Sequence, residues 1–82
     1  MDDPVDTKIL ALCQERGAGK SICPSDVAKA LVPEGRHWQH LMGRVRQRAI
    51  VLARGGAIDI LRKGKPVADL DDLRGVIRLR IR

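Results

Sequence analysis

The chain of 82 residues has no Phe, no Tyr and a single Trp. An aromatic core is therefore excluded, and any packed interior must be built from aliphatic side chains. Cysteine is scarce too, with two residues, Cys13 and Cys23. They lack the spacing of a metal site or a disulfide framework, and both read as small hydrophobes in or near the core. Long apolar runs are missing, so no membrane-spanning helix is expected. Acids occupy the N-terminus where a secretory signal needs Lys or Arg, and no apolar stretch follows them. The expectation is a cytoplasmic protein with no membrane partner.

Acid is short in one particular stretch. From Arg36 to Lys65 there are eight basic residues against one acid, Asp59. The last nine residues add Arg74, Arg78, Arg80 and Arg82 with no acid. The acids gather at Asp2, Asp3 and Asp6 and again at Asp69, Asp71 and Asp72. The net charge of +6 is thus unevenly spread, as suits an anionic partner. At this length a single domain over 1–82 is expected, with a modest core.

The hydrophobic pattern is helical in the first two thirds. Pro4 suits a first helical position, and Val5, Ile9, Leu12 and Cys13 recur at helical spacing up to about Gln14. Gly17 and Gly19 stop that helix. Ser21-Ile22-Cys23 is long enough for a bridge and no more. Ser25 is the expected N-cap of a short second helix carrying Val27, Ala28, Ala30 and Leu31. A long third helix is expected from about Arg36 to Arg54. Trp38, Leu41, Met42, Val45, Ala49, Leu52 and Ala53 form its apolar stripe, and Gly55-Gly56 its C-terminal stop. The period then changes to two. Residues 57–61 read as a strand, Arg62 to Pro66 as a turn, and 67–75 as an acidic loop. The closing strand 76–82 puts Ile77, Leu79 and Ile81 on one face and Arg78, Arg80 and Arg82 on the other.

The expected fold is mainly α with a small β-hairpin: a winged helix-turn-helix of three helices and a two- to three-stranded wing. Several ordered motifs add to this. Cys23-Pro24-Ser25-Asp26-Val27-Ala28-Lys29-Ala30-Leu31, Trp38-x-x-Leu41-Met42-x-x-Val45-Arg46, Gly64-Lys65-Pro66-Val67 and Gly75-x-Ile77-Arg78-Leu79-Arg80 resemble a small bacterial family of unknown function that is grouped with winged-helix proteins. The resemblance covers nearly the whole chain and implies the fold. It implies no activity and no catalytic residues.

Several motifs compete for function. Gly17-Ala18-Gly19-Lys20-Ser21 has the look of a phosphate loop, but Gln14 stands where its first Gly belongs, and a helix rather than a strand precedes it. His37 and His40 could share a metal, but no nearby Cys, Asp or Glu completes a ligand set. No nucleophile, base and orienting group stand together, so no enzyme, cofactor or metal is expected. Trp38, on the apolar stripe, reads as a packing anchor. The strongest candidate is the polar face of the third helix, where Gln39, His40, Arg44 and Gln47 would face a DNA groove. Arg36, Arg48, Lys63 and Lys65 would contact phosphate. The competing reading is a protein-interaction or homodimerisation module on the same scaffold. The arginine row of the closing strand also reads as protection of an exposed sheet edge.

Overall fold

The computed structural model describes residues 3–32 and 37–82. Helix α1 spans Pro4–Arg16, α2 spans Pro24–Leu31, a 3-10 turn covers Trp38–Leu41, and α3 continues from Met42 to Arg54. Strands β1 (Ile58–Arg62), β2 (Lys65–Pro66) and β3 (Arg78–Ile81) form one antiparallel sheet in the order β2-β1-β3. Ile22 makes an isolated antiparallel bridge to Leu79 and so adds a fourth row beside β3.

The helix starts follow from local chemistry. Asp3 caps α1: its Oδ1 accepts from the Val5 N–H at 2.8 Å, and Pro4 fills the first turn, where a missing N–H costs nothing. Helix α2 starts two residues earlier than the sequence suggested. Pro24 takes the first helical position and Cys23, not Ser25, is the N-cap. The Asp26 carboxylate reaches back to accept from the Cys23 N–H at 3.0 Å, as the third residue of a capping box does. The Ser25 hydroxyl is left to donate to Cys23 Sγ.

The expected long third helix is shorter. His37 sits in the left-handed region (φ 53°, ψ 29°), which no α-helix passes through. The next turn is 3-10, whose three-residue repeat puts Trp38 and Leu41 on one side. Both pack, half-buried, against the core, while Gln39 and His40 between them are exposed. Lys29 Nζ lies 4.9 Å from the Trp38 ring centroid. The helix ends as the Gly pair suggested. Gly56 adopts φ 84°, and its N–H donates to Ala53 O while that of Ala57 donates to Leu52 O, the paired bonds of a Schellman stop.

The aliphatic core lies between the helices and one face of the sheet. Val5, Ile9 and Cys13 of α1, Val27 and Ala28 of α2, Val45 and Ala49 of α3, Ile58 and Ile60 of β1, Leu79 of β3 and the flanking Ile22 and Ile77 are buried together. Burial pushes the Cys13 thiol up to about 11, so it stays protonated and behaves as a hydrophobe. Both cysteines are free thiols. Three helices with a small three-stranded antiparallel sheet make an α+β fold consistent with a winged-helix layout. No described helix is long and apolar enough to cross a membrane.

Candidate nucleic-acid interface

The hairpin tip is the most cationic turn described. Lys63 and Gly64 both have positive φ (53° and 80°), the signature of a two-residue type I′ turn. This closes β1 on β2 in a register that sets Arg62 directly opposite Lys65. Like charges facing each other across two strands are destabilising. Among the described residues, no acid forms an ion pair with Arg62, Lys63 or Lys65.

A second segment approaches this tip. Between the acidic loop and β3, residues 74–77 run as a strap beside the hairpin. Arg62 Nη1 donates to Arg74 O at 3.4 Å, and Arg46 Nη2, from α3, donates to Gly75 O at 3.1 Å. Two guanidinium groups on different elements thus hold consecutive carbonyls of the strap. Between strap and tip lies an open groove of about 900 Å³, lined by Arg62, Lys63, Gly64, Arg74, Gly75, Val76 and Arg78. Of its four cations only Arg74 meets a carboxylate among the described residues, that of Asp72 at 2.7 Å. Arg78 is oriented by Ser21, donating through Nε to Oγ at 3.0 Å and through Nη2 to the carbonyl at 2.9 Å. A smaller apolar pocket of about 220 Å³ shares Gly75 and Val76 with the groove and is lined in addition by Cys23, Pro24, Met42, Arg46 and Ile77.

The polar face of α3 is differently disposed. Gln39, His40, Arg44 and Gln47 are all exposed, the first two on the 3-10 turn rather than the helix. Arg44, however, is paired with α1: its Nη2 lies 2.5 Å from Asp3 Oδ2. Arg48 binds Asp6 through two parallel bonds, Nε to Oδ1 and Nη2 to Oδ2, each 2.7 Å. This fork holds the Asp6 carboxyl below its ordinary range and the Arg48 guanidinium above its own. The acids that stand apart from the cations in sequence thus meet them in space. Asp71 binds Arg54, and Asp59 binds Arg80 at 3.0 Å and Arg82 at 3.5 Å. β3 pairs with β1 on one side and is the outer strand of the three-stranded sheet, bridged on its far side by Ile22 at Leu79 alone among the described residues.

The residues expected from sequence therefore divide. Lys63 and Lys65 stand exposed at the tip, and Gln39, His40 and Gln47 stand exposed on the other surface. Arg44 and Arg48 are tied to carboxylates, and Arg36 lies outside the described residues. The groove adds Arg62, Arg74 and Arg78, together with Arg46 behind the strap. Glycine beside each basic cluster, Gly64 and Gly75, was the local signal. What sequence spacing does not give is the pairing of Leu61 with Arg78, which brings the two turns together. His37 and His40 have ring centroids 5.7 Å apart, and no group of three His, Cys, Asp or Glu among the described residues could hold a metal ion.

Fold and groove together define a small α+β domain with a winged-helix-like layout and a cationic hairpin surface. Over residues 2–82 the chain matches the family described as protein of unknown function (DUF3253), and it belongs to that family. No curated protein matches it.

Proposed function

We propose that this domain binds nucleic acid, and duplex DNA in particular, with the hairpin and strap as its principal contact. The observation that carries this reading is the groove of Arg62, Lys63, Arg74 and Arg78, where three exposed cations and the half-buried Arg78 meet a single ion-paired acid among the described residues. Phosphate oxygens are strong acceptors. Arg and Lys around a concave, backbone-pinned loop can bind them without first ordering the loop. The exposed Gln39, His40 and Gln47 supply a second surface with donors and acceptors for base edges. The domain acts by binding rather than catalysis, and a cytoplasmic setting in a bacterial cell goes with that partner.

The test is anisotropy with labelled random duplex across a salt series. Each phosphate neutralised contributes about −0.9 to the slope of log K against log salt, so full engagement of the groove gives a slope of about −4. Lys63→Glu should weaken binding by about tenfold or more and flatten that slope. Absence of binding at low salt, or a Lys63→Glu variant that binds as well as the parent, sinks the reading.

The second reading is a protein-interaction or homodimerisation module. The apolar pocket beside the exposed Val76 favours it. In that case the domain leaves heparin at low salt and binds an acidic protein surface or a second copy of itself.

A further inference from the structure

We infer that Val76 is an apolar wedge that enters the minor groove of duplex DNA and unstacks a base step, so that the domain bends the DNA it binds. This rests on the nucleic-acid reading above and adds a mode of engagement to it.

Val76 is 79% exposed, far more than Val51 (46%), the other large hydrophobic side chain that stands out in solvent among the described residues. A single exposed aliphatic is ordinary on a protein surface. Its surroundings here are not. Val76 lines both the groove shared by Arg62, Lys63, Arg74 and Arg78 and the apolar pocket of Met42 and Ile77, so an exposed apolar group stands at the edge of a cationic groove. A polar side chain there would satisfy solubility equally well.

The segment that carries it is also fixed. The carbonyls of Arg74 and Gly75, just before Val76, accept from Arg62 and Arg46. Ile77, just after it, is buried at 3% exposure. Gly75 has φ +71°, a conformation that side-chain-bearing residues disfavour, and the strap turns there. Anchored on both sides, the backbone at Val76 is fixed, and its side chain stands exposed at the rim shared by the groove and the apolar pocket. A wedge must be held in this way, because a mobile side chain yields before a stacked base step does.

The chemistry of the chain selects the duplex. Single strands are gripped by stacking bases on aromatic rings. This chain has no Phe or Tyr, and Lys29 lies over the ring of its one Trp. An aliphatic wedge flanked by Arg and Lys is instead the combination that minor-groove binders use to pry open a step while cations hold the phosphates on either side. Pyrimidine–purine steps yield most easily, and A-tracts resist.

The experiment uses the whole chain and two duplexes of about 20 base pairs, one with a central TA step and one with a central A-tract, carrying a donor and an acceptor dye at their ends. The parent protein should raise energy transfer on the TA duplex and bind it about tenfold more tightly than the A-tract duplex. Val76→Ser should lose the rise in energy transfer and most of that preference, with its salt slope unchanged because no cation has been removed. Val76→Ile should keep both. Exposure of the side chain makes all three proteins equally foldable, which matching melting curves confirm. Binding without a rise in energy transfer overturns the wedge and leaves the nucleic-acid reading standing, as does a Val76→Ser variant that bends as the parent does. Failure of the parent to bind either duplex at low salt overturns both.

Discussion

Lys63 carries a backbone conformation that a lysine would not choose. Its φ of 53° belongs to the first central position of a type I′ turn, where Asn is favoured because it tolerates the left-handed region. Lys63→Asn should therefore stabilise the domain, by about 0.5 kcal/mol, while removing a groove cation. Thermal melting and duplex anisotropy on the same variant check this: the expected pair is a higher melting temperature and a weaker, less salt-dependent complex. Loss of affinity in a protein that has become more stable cannot be ascribed to unfolding. Gly56 gives the opposite case. Its φ of 84° closes the Schellman stop of α3, and Gly56→Ala should cost about 1 kcal/mol in denaturant unfolding. These two positions also differ in how far sequence could reveal them. The Gly pair after a long apolar stripe signals a helix end directly. A lysine before a glycine does not signal a positive φ, which becomes visible only once Arg62 is known to pair with Lys65.

At the scale of elements, the contact between α1 and α3 rests on charge as well as on Val5, Ile9, Val45 and Ala49. The Asp6–Arg48 fork holds the Asp6 pKa below its ordinary value of 3.8. A depressed folded-state pKa gives stability that is present above the unfolded value and is lost as pH falls through the folded one. The melting temperature should thus fall in acid below about pH 4, with Asp6 contributing to the fall. An Asp6→Asn variant should melt lower than the parent at neutral pH and lose less in acid, so that the two curves converge. Parallel curves from pH 7 to about 2 would show that the fork adds nothing. Helix order and the strand alternation could be read from sequence because apolar period and glycine position determine them locally, whereas the short segment at Ile22 could be read as a bridge but not matched to Leu79, fifty-seven residues away. The charge pairing could not. Asp3 and Asp6 lie about forty residues from Arg44 and Arg48, and only the crossing of α1 over α3 decides that they neutralise part of the surface expected to face DNA. The 3-10 turn was hidden for a related reason. Trp38, Leu41, Met42 and Val45 fit a continuous α-helical stripe as well as they fit a 3-10 turn leading into one.

For the molecule as a whole, stability depends on a small aliphatic core that has no aromatic ring among its fully buried members. Leu79 is fully buried in β3, against β1 and Ile22. Leu79→Ala should cost about 3 kcal/mol, a large share of what a domain of this size has, and urea unfolding should show the midpoint drop with the slope unchanged. A loss under about 1 kcal/mol would mean that the sheet closes up around the gap. The same strand bears on how the protein is made. β3 is translated after every other described element, yet it lies between β1 and the Ile22 bridge, and its partners were translated some twenty and fifty-seven residues earlier. Helices α1 and α2 cannot complete their buried face until that strand arrives. The nascent chain therefore waits with Ile9, Val27, Ile58 and Ile60 uncovered, and gains its interior in one late step rather than by stages.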